Sequence, residues 1–179
     1  MSERALLLHV CCGPCATAVI ERLAPAYDLT LLWYNPNIHP TEECIRRLQA
    51  ARDLADRLGL TLHVHEGGEA EFAAVAQGLE YEPEGGERCR RCYALRLRHA
   101  LETARTLGLP TVATTLSISP HKPAAAINEV GRRLADELGL TFLEADFKQQ
   151  AGFQRSVELS KQYGLYRQNY CGCEFSRRR

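Results

Sequence analysis

Seven of the eight cysteines in this 179-residue chain fall into three tight groups. They read C-C-x-x-C at Cys11, Cys12 and Cys15, C-x-x-C at Cys89 and Cys92, and C-x-C at Cys171 and Cys173. A lone C-x-x-C is compatible with thioredoxin-like exchange or with chance, but three such groups in one short chain signal metal or redox chemistry. A structural zinc takes four ligands, usually from knuckles about 15–20 residues apart. Here a long stretch of chain separates each group from the next, and seven thiols exceed what one zinc needs. An iron–sulfur cluster also takes four thiolates, and soft sulfur ligands suit it equally. The spacing therefore leaves three chemistries open: a cluster, a zinc site and thiol exchange. Arg88, Arg90 and Arg91 bracket Cys89, where they would lower its thiol pKa or contact phosphate. Cys44 stands apart, in line with Leu48, Ala55 and Leu58 on a helical pattern, and reads as a small buried hydrophobe.

Other polar residues collect in short segments. "WYNPNIHP" carries Asn35, Asn37 and His39, whose side chains either read a hydrogen-bonding ligand such as a base or ribose, or cap a stiff turn. "TTLSISPHK" brings hydroxyls, His121 and Lys122 to one place, as a site or as a helix cap. "EYEPEGGERCRRC" is a Gly-hinged acidic loop running into the basic cysteine knuckle, and loops of this kind are more often functional than filler. Between Lys148 and the C-terminus, Arg155, Tyr166, Arg167 and Tyr170 interleave aromatics with cations, as suits stacking on unpaired bases or docking of a terminal helix. His9 sits inside an apolar run and reads as a core histidine. Ser-His-Asp, H-E-x-x-H, Walker and G-x-G-x-x-G patterns are absent, and so is any nicotinamide or flavin fingerprint.

The elements that must position these residues follow from periodicity. Apolar runs at 5–10, 29–34, 61–65, 111–116 and 141–145 predict strands. Helical patterns lie between them. "TEECIRRLQAARDLADRLG" has Thr41 as its expected cap, Ile45, Leu48, Leu54 and Leu58 towards one side, and Gly59 as its stop. Others are "KPAAAINEVGRRLADELG", a segment from about Cys92 to Gly108, and one from about Gly152 to Gly164. Strand and helix in alternation predict an α/β fold, a parallel sheet with helices on both faces, in one domain over residues 1–179. Ligands of such sheets gather beyond the carboxyl ends of the strands. The first cysteine group follows the first strand directly.

Composition sets the context. Hydrophobic residues make up 45% and charged residues 25%, as in globular proteins. The apolar stretch near the N-terminus is too short for a signal peptide and no window spans a membrane, so the expected location is cytoplasmic, where thiols stay reduced. Net charge is zero, yet it is unevenly spread. Seven acids and no Lys or Arg lie between Glu66 and Glu87. Arg88, Arg90, Arg91, Arg96 and Arg98 follow with no acid among them, and the C-terminal stretch from Lys148 carries seven basic residues against two acids, ending at Arg177, Arg178 and Arg179. Such clusters track phosphates or simply solvate a face.

In combination, "HVCCGPC", "YNPNIHP", "EPEGGERCRRC", "TTLSISPHK", "DFKQ..GFQRSVELSK" and "LYRQNYCGC" resemble the epoxyqueuosine reductases of the QueH family, in order and over nearly the whole chain. Gln149 departs from a second lysine common in the family after "DFK". The resemblance implies a Rossmann-like sheet of the HUP type, with the cysteine loop where ATP-dependent tRNA-modifying relatives keep a phosphate loop. It implies as substrate a tRNA carrying epoxyqueuosine at the wobble base, whose epoxide is reduced to the alkene of queuosine. It further implies a [4Fe–4S] cluster held by Cys11, Cys12, Cys89 and Cys92, with Cys15 as an alternative ligand. Cys171 and Cys173, on a tail packed near the site, are then a redox-active pair or hold one additional metal ion. The candidates for contacting substrate are Asn35, Asn37, His39, Arg90, Arg91, Lys122 and Arg167, with Asp146, His39 or His121 as the source of a proton. Electrons are expected from an external donor. The competing expectations are a zinc-stapled RNA-binding protein without catalysis, and an ATP-using sulfur-transfer enzyme, against which the missing phosphate loop argues.

Overall fold

The structure is a computed structural model describing residues 2–177, so Arg178 and Arg179 of the basic C-terminal cluster lie outside the described residues. Five strands, β1 (Ala5–Val10), β2 (Asp28–Trp33), β3 (Leu62–Val64), β4 (Thr111–Thr114) and β5 (Thr141–Phe142), form one sheet in the order β3-β2-β1-β4-β5. Every pairing is parallel, with Leu8 opposite Leu31 on one side of β1 and opposite Ala113 on the other. Six helices connect them: α1 (Gly13–Leu23), α2 (Thr41–Leu58), α3 (Glu69–Ala76), α4 (Glu87–Leu107), α5 (Ala124–Leu138) and α6 (Gly152–Gln162).

The two-residue side-chain period of β1 divides the core. Leu6, Leu8 and Val10 pack with Val19, Ile20, Leu54 and Leu159 from α1, α2 and α6. Leu7 points the other way, into a cluster with Leu97, Leu101, Ile127 and Leu134 from α4 and α5. Helices thus cover both faces, as the alternation of strand and helix predicts. The chain winds outward from β1 to β3 and then returns to place β4 against the free side of β1. The crevice between β1 and β4 is therefore the topological switch point of the sheet.

Several boundaries differ from the sequence reading. β3 and β5 are shorter than expected, and residues 115–118 leave β4 as a single 3₁₀ turn rather than extending the strand. α1 and α3 come from segments in which no helix was singled out. α4 begins at Glu87, so Cys89 and Cys92 sit in its opening turns and not in a loop. α2 ends on Gly59 in a left-handed conformation as expected, but its N-cap is Pro40 and Thr41 makes no capping bond. Ile45 and Leu58 are 60% and 38% exposed. The buried arc of α2 is centred instead on Leu48, Ala51, Leu54 and Ala55, and it includes the charged pair Glu43 and Arg47. Cys44 is half-buried at the margin of that arc, packed on the core.

Candidate functional site

The cysteine loop is built residue by residue for the exit of β1. Cys12 is the N-cap of α1, and its sulfur accepts the Cys15 N–H at 3.2 Å, the task a serine or aspartate oxygen usually performs. Pro14 follows at the start of the helix, where its missing N–H leaves no bond unmade. Between them, Gly13 lies so close to α2 that a Cβ there would be 2.4 Å from the Ala50 carbonyl oxygen. The result is that the sulfurs of Cys11, Cys12 and Cys15 all lie within 4.8 Å of one another. From the 3₁₀ turn after β4, Thr115 Oγ1 donates to the Cys11 sulfur at 3.3 Å and accepts the Cys11 N–H at 3.1 Å, closing the crevice between the two strands.

Charge in this trio is unequally shared. Hydrogen bonds from Cys12 and Cys15, aided by the charges of Arg96 and Lys122, hold the Cys11 thiol well below the usual range. Burial pushes Cys12 well up, and the hydrogen bond to Cys11 pushes Cys15 up to about 12. A metal would bind this set with release of the protons that Cys12 and Cys15 hold. The three sulfurs are close enough together to hold a metal. Among the described residues no other group of three Cys, His, Asp or Glu is so compact.

The remaining grouped thiols approach the same place from elsewhere. Cys171 lines a cavity of about 740 Å³ together with Cys11, Cys15, Asn37, Arg96, Lys122 and Arg167. Its thiol is held well below the usual range by a hydrogen bond from Cys173 and by the charges of Lys122, Arg96 and Arg47, while that same hydrogen bond raises Cys173. All eight cysteines are free thiols. Cys89 and Cys92 are buried in α4, close enough to Cys171 that its charge helps raise both, although burial is the larger cause, and Cys92 reaches about 11. The expectation that flanking arginines depress Cys89 is thus corrected. Arg90 and Arg91 turn outward to Glu129 and Glu87, at 3.1 and 3.0 Å, and Arg88 folds back onto the carbonyls of Leu79, Glu80 and Glu82.

Other residues singled out in the sequence take distinct places. Lys122 lines the cavity with Cys11, Cys15 and Cys171. Burial opposes its charge, but Cys171 and Cys11 together hold its proton above the ordinary lysine range. Asn35 is buried beneath the site, donating to the Val10 carbonyl at 3.0 Å and accepting from Arg96 Nη2 at 2.5 Å, which ties α4 to the end of β1. His9 is the core histidine expected, bonded to Thr114 Oγ1 and the Tyr34 carbonyl. His121 lines the cavity, whereas Asp146 pairs with Lys148 at 2.6 Å and His39 is exposed, meeting the tail through its backbone.

Three residues of the site escape a sequence reading. Arg96 and Arg47 are buried on helical faces that are mostly apolar, and Gln168 Nε2 donates to the sulfurs of Cys12 and Cys15 at 2.9 and 3.5 Å. For Arg47 the signal was Glu43 one turn earlier on the same arc. Nothing local marks Gln168. Two buried acceptors that line this cavity, Asn37 Oδ1 and Gln168 Oε1, have no partner among the described residues. Buried polar groups of this kind are normally satisfied, so the cavity is built to receive hydrogen-bond donors.

Comparison with known proteins gives a consistent result. A family model described as epoxyqueuosine reductase QueH matches residues 6–179. The chain is 39% identical to the epoxyqueuosine reductase QueH of Streptococcus pyogenes serotype M1 over 178 residues, covering 96% of this chain and 70% of that protein. The protein of that name from Haemophilus influenzae is 36% identical, with 97% and 71% covered. That of Thermotoga maritima is 34% identical, with 96% and 89% covered.

Proposed function

Because the chain belongs to the QueH family of epoxyqueuosine reductases, we propose that the thiol-lined cavity at the β1–β4 switch point is where it reduces epoxyqueuosine, carried at the wobble position of a tRNA. The chemistry is a two-electron reduction: epoxide, two electrons and two protons give an alkene and water. The observation that carries the assignment is that Cys11, Cys15 and Cys171, from distant parts of the chain, line one cavity beside Lys122 and Arg96.

The compact Cys11, Cys12 and Cys15 set is able to hold a metal. Our finer reading is a [4Fe–4S] cluster on Cys11, Cys12, Cys89 and Cys92, with Cys15 as the alternative ligand. Such a cluster, when bound, supplies single electrons and an iron that polarises oxygen. The chain's own residues do the rest. Lys122 places a positive charge where oxygen leaves as water, and its environment keeps it protonated. Asn37 Oδ1 and Gln168 Oε1 accept donors of the modified base, and His121 stands at the cavity to pass a proton. Arg167 lines the approach. Electrons come from an external donor. Cys171 and Cys173 act as a dithiol, or together hold one further metal ion.

The sheet and the tail form one catalytic unit in this reading. No helix among the described residues is long and apolar enough to cross a membrane. The test is anaerobic purification with iron, sulfide and zinc counts, followed by incubation with reductant and tRNA bearing epoxyqueuosine. Brown protein with about four irons per chain and formation of queuosine are expected. Colourless zinc protein that converts nothing would replace this reading with a metal-stapled RNA binder.

A further inference from the structure

The residue that holds Cys171 lies far from it in sequence, on α2. Arg47 is 2% exposed, and its side-chain hydrogen bonds among the described residues run to Glu43 and to the C-terminal tail. Nη1 donates to the Cys171 carbonyl at 2.9 Å, Nη2 to the Tyr170 carbonyl at 3.1 Å, and Nε to Glu43 Oε1 at 2.7 Å. The other oxygen of Glu43 accepts the Tyr166 hydroxyl at 2.7 Å. The guanidinium carbon stands 4.9 Å from the centre of the Tyr170 ring. Gly172 passes so near that a Cβ would be 2.9 Å from Nη1, and its carbonyl accepts the His39 N–H at 2.8 Å.

Residues 165–173 form no helix or strand. Their carbonyls therefore lack ladder partners and must find donors elsewhere. A buried ion pair is a weak source of stability, because desolvating two charges offsets their attraction, and apolar residues would pack α2 as well. What a buried arginine supplies is geometry: its planar fork fixes two successive carbonyls at once, which a lysine cannot do.

We propose that Arg47, itself oriented by Glu43, is the positioning residue for Cys171, fixing the backbone of residues 170–171 so that the thiol faces the cavity opposite the cysteine loop. The proposal rests on that cavity being the active site. Arg47 stands at the cavity wall and adds its charge to those beside Cys171, but its hydrogen bonds go to Glu43 and the tail, and its role is that of a positioning residue.

The test uses the anaerobic holoenzyme and two variants, Arg47→Lys and the double variant Glu43→Gln/Arg47→Met, which leaves no buried charge unpaired. Three quantities are measured: the iodoacetamide modification rate of Cys171 relative to Cys44, kcat and KM for tRNA bearing epoxyqueuosine, and the melting temperature. Cys44 lies on α2 beside Arg47, so it reports any general loosening of that helix. Arg47→Lys, which keeps the cation, is expected to raise Cys171 modification roughly tenfold relative to Cys44, and both variants to lower kcat roughly 100-fold with KM little changed. Unchanged Cys171 reactivity in folded Arg47→Lys, or unchanged kcat in the folded double variant, overturns the proposal. So does a parallel rise at Cys44 and Cys171 with a lower melting temperature, which marks a merely structural role. Should the parent enzyme reduce no epoxyqueuosine, the reading of the cavity fails, while the ratio of modification rates still decides the clamp.

Discussion

Cys12 is fully buried, caps α1 through its sulfur and accepts a hydrogen bond from Gln168, whereas Cys171 lines the cavity under the charges of Lys122, Arg96 and Arg47. Residues so differently placed should fail differently when replaced. Serine at Cys89 or Cys92 is expected to remove the near-ultraviolet and visible absorption of an iron–sulfur centre, and retained iron and colour in both variants would sink the ligand assignment. Serine at both Cys171 and Cys173 should leave iron in place and abolish turnover. Thiol counting after one anaerobic turnover then separates the two roles of that pair: a dithiol loses two free thiols, whereas a metal site loses none and releases an ion in the double variant. The cysteine trio was legible in the sequence because its members are within one helical turn. Gln168, Arg96 and Arg47 were not, because their partners are supplied by distant segments.

α1 and α2 cross with a backbone approach that only glycine permits. Gly13→Ala pushes a methyl group into the Ala50 carbonyl, and overpacking of this kind costs about 1–3 kcal/mol. The melting temperature should fall, and because Gly13 lies between Cys12 and Cys15 the iron content should fall with it. The end of β3 is joined to α4 by His65 Nδ1 and His99 Nε2, 2.7 Å apart, with the Tyr34 ring stacked at 3.6 Å on His99. Burial and the neighbouring His65 both lower His99 from its ordinary value of 6.5, partly offset by Glu102. Its contribution to stability is complete above that value and is lost as pH falls through the lower folded one. The urea midpoint should therefore drop on acidification from neutral pH, and drop less in His99→Gln. An equal drop in both proteins would remove the pair from this account. The strands and four of the helices were legible because period and glycine stops agree there. α3 was not, since Phe72 and Ala76 are its only buried residues, too few to print a periodic stripe. The start of α4 was hidden for another reason: two cysteines and three arginines at its head look like a loop until Arg88 is seen binding the preceding turn.

The charge runs of the sequence look different once folded. Arg90 and Arg98 meet Glu129 and Glu137 of α5, and Arg91 meets Glu87 one turn earlier on α4, and such exposed pairs are weak enough to exchange for phosphate. Alanine at Arg90 and Arg91 should weaken binding to all tRNAs and flatten its salt dependence by about one unit per lost phosphate contact. An unchanged slope would leave these arginines as surface partners of α5 and Glu87 alone. At the same scale, the two ladders of the central strand differ greatly in reach. β2 comes next in the chain, but β4 does not, and His9 and Thr114, bonded at 2.9 Å, are 105 residues apart. Closing so long a loop costs chain entropy before its contacts can compensate, which makes folding slow. Until that ladder zips, Cys11 has no Thr115, and the sulfurs of α1 and α4 ride on separate pieces. An ion cannot nucleate such a fold as it does a zinc finger. Refolding should therefore run at one rate with or without ferrous iron, since any metal would enter a scaffold already assembled.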